Sequence, residues 1–191
     1  MTVAGLSGSG KSSLVNTFRD RTVGGDAFYC SGKCDISRSK EPFSVLKDSM
    51  AEFCSHLADR SHGDRTTESV IRRIRSSIGG DAQALTAIIP GLSQLISTLT
   101  SSSSSEVEHA SAARDRLAHL FRVLIRSITS IKPLVLFWDD LQWIDSSSLQ
   151  VIRWIATDHR LKSFMLVGAY RDNEVDRGHR LLRALDSIES R

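Results

Sequence analysis

Gly5-Leu6-Ser7-Gly8-Ser9-Gly10-Lys11-Ser12 places three glycines, a lysine and a terminal hydroxyl in one short stretch that fits the pattern G-x-x-x-x-G-K-[ST]. The chemistry this combination serves is anion binding. Small residues let backbone N–H groups turn inward and approach phosphate oxygens closely. Lys11 supplies a point charge for β- and γ-phosphates, and Ser12 offers a hydroxyl to Mg²⁺. Ser7, Ser9 and Ser13 belong to the same phosphate-binding stretch as Gly5, Gly8 and Gly10. A helix from Ser12 to about Arg19 would aim its positive dipole end at the phosphates. Thr2-Val3-Ala4 reads as the end of a strand leading into the turn. Leu14, Val15 and Phe18 give the helix an apolar stripe.

A phosphate loop needs an acidic partner for its metal. Leu134 to Trp138 is a continuous apolar run followed by Asp139-Asp140. Such a run suits a strand buried on both faces of a parallel sheet. Ligands of open α/β sheets sit beyond the carboxyl ends of the strands, so the run delivers its carboxylates to the same edge as the loop. Asp139 is then the candidate Mg²⁺ ligand, opposite Ser12. Asp140 is placed to orient or deprotonate an attacking water. A third apolar run, Phe164 to Tyr170, precedes Arg171, and a parallel strand there would bring a cation to the same edge. Arg171 could sense a γ-phosphate or steady transition-state charge. A surface ion pair with Asp172 or Glu174 is the alternative.

The elements that position these residues follow from periodicity. Residues 26–32 read as a short strand ending in Gly32-Lys33. Helices are predicted over about 43–59, with Leu46, Met50, Phe53 and Leu57 inward, and over 69–78, with Val70, Ile71, Ile74 and Ile78 inward. Arg72, Arg73 and Arg75 read as a solvated face. Gly79-Gly80 stops that helix and Asp81 can cap the next, which carries Leu85, Ile88 and Ile89 until Pro90-Gly91 breaks it. Leu92, Leu95, Ile96 and Leu99 form another short set, and Ser101–Ser105 is a serine run. The segment from about 60 to 105 is therefore expected to be a helical insertion. Ala110, Ala113, Leu117, Leu120, Phe121, Leu124, Ile125 and Ile128 line a long amphipathic helix. Asp145 and Ser146 can cap a helix carrying Leu149, Ile152 and Ile155. Leu181, Leu182, Leu185 and Ile188 mark a last one. The six histidines are scattered and read as surface residues.

Composition sets the limits. The chain has 191 residues, 40% hydrophobic and 25% charged, with net charge +3. That is the make-up of one globular domain with a sizeable core. The charge is too mild to argue for nucleic acid. Cys30, Cys34 and Cys54 lack zinc spacing and read as free thiols of a reducing, cytoplasmic compartment. No apolar run has the length of a membrane span.

Together "GLSGSGKSSLV" and "LVLFWDDLQWID" resemble a P-loop NTPase of the STAND class, the signal-transduction ATPases with numerous domains. The chain is most similar to the AAA ATPase domain related to origin-recognition ATPases, found fused to protein kinases, histidine kinases and nucleotide cyclases. "GKCDISRSKEPFSVLKDSM" and "LVGAYRDNEVD" are similar to two further stretches of that family. The resemblance implies ATP and Mg²⁺ as ligands, Asp139 as the metal-binding acid, Asp140 as the catalytic acid and Arg171 as the sensor. Asp145 matches a recurrent acid whose role the residues do not define. Family members carry a segment before the loop that helps to hold adenine, and a helical or winged-helix lid after the core. Only Met1–Ala4 precede the loop here, so the expectation is an ATPase core over 1–191 without that flank and lid, its first strand at an exposed edge. The expected fold is α/β, a three-layer P-loop core with a mainly parallel sheet covered by helices. The expected function is Mg²⁺-dependent ATP binding with slow hydrolysis, used as a regulatory switch through protein partners, fused signalling domains or a nucleotide-dependent oligomer. Alternatives are a non-catalytic nucleotide-binding scaffold and a P-loop kinase. The doubled aspartate, suited to activating water, argues against the kinase.

Overall fold

The computed structural model describes residues 1–22, 25–60, 64–79, 82–96 and 110–190. Four strands form one sheet: β1 (Thr2–Ala4), β2 (Phe28–Lys33), β3 (Leu134–Asp139) and β4 (Phe164–Tyr170), in the order β1-β4-β3-β2. Every neighbouring pair is parallel. Parallel pairing requires crossovers, and helices supply them: α1 (Lys11–Thr22), α2 (Ser44–Arg60), α3 (Arg65–Ile78), α4 (Ala82–Thr86), α5 (Pro90–Leu95), α6 (Ala110–Thr129), α7 (Ser146–Ala156) and α8 (Arg180–Glu189).

The alternation of side chains along the strands divides the core in two. Tyr29, Val135, Phe137, Val167 and Ala169 face α1, which brings Val15 and Phe18. Phe28, Cys30, Leu134, Leu136 and Trp138 face the opposite way, into the larger core built with the other helices. Trp138 is fully buried and its Nε1 donates to Ser49 Oγ at 3.0 Å, tying β3 to α2. The three-layer α/β architecture expected from the sequence is thus present. β1 stands at one end of the sheet and β2 at the other.

Several boundaries differ from the periodicity reading. α1 runs to Thr22 rather than Arg19, and Arg19 and Arg21 in its last turn suit the negative end of the helix dipole. α3 begins at Arg65 because the Asp64 carboxylate accepts from Thr66 N at 3.0 Å and Thr67 Oγ1 at 2.7 Å. The apolar stripe missed that turn because its buried residue is Thr67. Pro90 does more than break a helix: it opens α5, its missing N–H costing nothing in a first turn. Arg75 is not simply solvated, since its guanidinium donates twice to the Leu95 carbonyl at the end of α5, at 3.0 and 2.6 Å. Arg72 and Arg73 are exposed, as expected. The Gly80 stop, the Asp81 cap, Leu99, the serine run, His62 and His109 lie outside the described residues, as do the side chains of Ala110 and Ala113.

Candidate nucleotide site

The Gly5–Ser12 turn joins β1 to α1 at the carboxyl edge of the sheet. Gly8 and Gly10 take φ of 76° and 85°, values that disfavour any side chain, and a Cβ at either would meet nothing within 4 Å. The glycines are therefore required by backbone conformation, and the space over them is open. The Lys11 ammonium folds back over the turn, donating to the carbonyls of Gly5 and Leu6 at 2.8 Å each. Ser7, Ser9, Ser12 and Ser13 are exposed around it.

Ser12 Oγ donates to Asp139 Oδ2 at 2.6 Å, across 127 residues of chain. The hydroxyl and the carboxylate make a hard-oxygen pair of the kind Mg²⁺ prefers, beside a lysine and an open cradle of backbone N–H groups. These residues fit a metal-bound nucleoside triphosphate.

Asp140 follows in a left-handed conformation, φ 54° and ψ 44°, which turns its side chain away from the strand direction. Its N–H donates to Asp139 Oδ1 at 2.9 Å. Arg171 Nε lies 3.3 Å from Asp140 Oδ1, and Arg171 Nη1 lies 2.6 Å from Glu174 Oε1. Arg171 thus makes the ion pair with Glu174 that was the alternative in the sequence, and it lies at the loop's edge of the sheet against Asp140. The hydrogen bond to Glu174 and the charge of Asp140 push the guanidinium pKa up further.

Two participants, Lys33 and Gln142, had no site role in the sequence reading, and a third residue was read there only as the cap of one helix. Lys33, the last residue of β2, lies in register with Asp139 and reaches to 3.5 Å from Asp140 Oδ2. The signal was available: a charged residue ending a parallel strand joins the same edge as Asp139 and Arg171. Gly32 beside it permits close approach of β2 to α2, since a Cβ there would lie 2.7 Å from the Val45 carbonyl oxygen. Gln142 is buried, donates from Nε2 to Asp140 Oδ1 at 3.0 Å, and accepts from Arg171 N at 3.2 Å.

Asp145 is the third. It caps α7 and also the chain entering α2. It accepts six hydrogen bonds, from Ser147 N, Ser148 N, Ser148 Oγ, Phe43 N, Ser44 N and Ser44 Oγ, between 2.5 and 3.3 Å. Phe43 has φ 61°, an unfavourable value for a bulky residue, and Asp145 helps to hold it there. Asp145 is structural, binding two helix starts together behind the site.

Cys34, next to Lys33, is buried, and burial with the nearby aspartates Asp145, Asp140 and Asp139 pushes its thiol up to about 12. It packs in the larger core. Cys30 and Cys54 are likewise buried free thiols. His179 is not a plain surface residue: its Nδ1 accepts from Leu181 N at 3.2 Å and caps α8.

A parallel sheet with a glycine-rich turn into a helix, and a serine bonded to an aspartate at the end of a buried strand, defines the P-loop NTPase class. The model of the AAA ATPase domain matches residues 1–167. The chain belongs to that family, whose members bind nucleotide. It is also similar to the hybrid signal transduction histidine kinase G of Dictyostelium discoideum, with 29% identity over 155 residues. The similarity covers 79% of this chain and 4% of that protein, so the chain spans a small part of the relative's length. No helix among the described residues is long and apolar enough to cross a membrane.

Proposed function

We propose that this domain binds ATP with Mg²⁺ at the carboxyl edge of its sheet and hydrolyses it slowly, as a regulatory switch of the STAND type. The observation that carries the reading is the 2.6 Å contact of Ser12 with Asp139, which unites the loop with the buried strand's carboxylate. Gly8, Gly10 and the first turn of α1 cradle the phosphates through backbone N–H groups. Lys11, released from the Gly5 and Leu6 carbonyls, turns to the β- and γ-phosphates. Ser12 and Asp139 hold Mg²⁺. That ion, when bound, neutralises developing charge on the phosphate oxygens. Asp140 orients the attacking water and takes up its proton. Arg171 and Lys33, both within reach of Asp140, supply positive charge on the γ-phosphate side.

The histidine kinase relative supports a signalling setting, with this domain joined to kinase, histidine kinase or cyclase modules or acting on separate protein partners. Three buried free thiols suit a reducing cytoplasm. The test is ATP titration and phosphate release measured side by side on the purified chain. Mg·ATP at a hundredfold excess over its dissociation constant should stabilise the fold by about 2.7 kcal/mol. Turnover should stay below about 1 s⁻¹, the low end of ordinary enzymes. Failure to bind Mg·ATP would remove the reading altogether. Binding without phosphate release would leave a nucleotide-binding scaffold.

A further inference from the structure

Of the groups around Asp140, two are cations open to solvent and one is a buried neutral amide. Lys33 is 71% exposed at its side chain and Arg171 31%. Gln142 is 2% exposed. Its two hydrogen bonds fix its orientation chemically. The Arg171 backbone N–H can only donate, so the amide oxygen must face it. The ionised Asp140 carboxylate can only accept, so the amide nitrogen must face that. Few side chains carry an acceptor and a donor at one tip, and glutamate, of the same length, lacks the donor when ionised.

We propose that Gln142 is the positioning residue of the hydrolytic site: it aims the Asp140 carboxylate and pins the pivot from which the Arg171 side chain swings. The inference rests on the reading of Asp140 as the group that activates water. A phosphate arriving at the edge would draw Arg171 and Lys33 off Asp140. The Gln142 hydrogen bond, being neutral and buried, stays. It keeps Asp140 oriented without cancelling its charge, which an ion pair would do. Without Gln142, the carboxylate is free to follow whichever cation lies nearest. Arg171, with its backbone N–H unpaired, loses its fixed origin.

The experiment compares four chains in single-turnover phosphate release and Mg·ATP titration: unaltered, Gln142→Met, Asp140→Asn, and the double variant. Gln142→Met keeps volume and removes both hydrogen bonds. It should slow phosphate release by roughly tenfold to a hundredfold, less than the ~10²–10⁴ that loss of a general base costs. Its Mg·ATP affinity should stay within about twofold, which also shows that it folds. In the Asp140→Asn background the same change should cost nothing further, because Gln142 acts through Asp140. A purely structural role would give the same cost in both backgrounds. Gln142→Glu, which sets two carboxylates against each other, should slow release more than Gln142→Met. Unchanged release in Gln142→Met, or additive losses in the double variant, would overturn the inference and leave the ATPase reading intact. No release from the unaltered chain would overturn both.

Discussion

Asp139, Asp140 and Asp145 lie within one short stretch of sequence and have opposite surroundings. Asp145 is surrounded by protein donors, four backbone N–H groups and two hydroxyls, and is 2% exposed. Its capacity is spent on the fold. Asp139 and Asp140 face a serine hydroxyl, one backbone N–H, one side-chain amide and two partly exposed cations. The hydroxyl and the two cations can leave and be replaced by a ligand, while the buried Gln142 amide stays. The two surroundings differ in their donors: backbone N–H groups make most of the bonds to Asp145, whereas side chains make most of the contacts of Asp139 and Asp140.

The comparison can be broken at either end. Asp145→Ala strands donors at the starts of α2 and α7 in the core, and should cost about 3–5 kcal/mol, the range for breaking a buried charge network. Chemical denaturation measures it, and a loss under about 1 kcal/mol would make Asp145 no different from a surface cap. Lys11→Ala should lower ATP affinity by about tenfold to a hundredfold, from the loss of a charge-assisted contact worth roughly 1.5–3 kcal/mol. Fluorescent nucleotide titration reads this, and unchanged affinity would remove Lys11 from the site. Asp139→Asn should leave the fold alone and reduce the gain in ATP affinity that Mg²⁺ provides, by several-fold at least, as seen in titrations with and without a chelator.

The smallest effect concerns His179. Burial, then the charge of Arg180, hold its imidazole below the ordinary value. Its Nδ1 must be unprotonated to accept from Leu181 N. The native state thus binds fewer protons than the unfolded chain, so this contribution is present above about pH 6.5 and is lost as pH falls below it. His179→Asn, which can also cap, should flatten stability between pH 7.5 and 5.5 by about 1 kcal/mol or less. An unchanged pH slope would separate His179 from the cap.

Much of the fold and site was legible in the sequence because it rests on local rules. The loop pattern, the apolar runs of β3 and β4 and the stripe of α6 each carry a period or spacing that one segment sets by itself. The parallel edge came with them, and so did the meeting of Ser12, Asp139, Asp140 and Arg171. The features that escaped depend on tertiary neighbours. Gln142 looks like any polar residue in a turn until β4 brings the Arg171 N–H to it. Asp145 reads as one helix cap until Phe43 and Ser44 arrive from far along the chain. The early start of α3 was hidden because its buried residue is Thr67, a polar group satisfied by Asp64. A proline can end one helix or begin another, and Pro90 begins one because residues 91–95 pack as a helical turn against α2 and α4.

The division of labour between the two edge aspartates is tested most directly by Asp140→Asn, with Mg·ATP binding and phosphate release measured on the same sample. Removing a base while leaving the Ser12–Asp139 metal pair intact should keep binding within about twofold of the unaltered chain and stability within about 1 kcal/mol, the latter in contrast to Asp145→Ala. Phosphate release should fall by roughly 10²–10⁴. Loss of binding together with release, or release at the unaltered rate, would contradict the account.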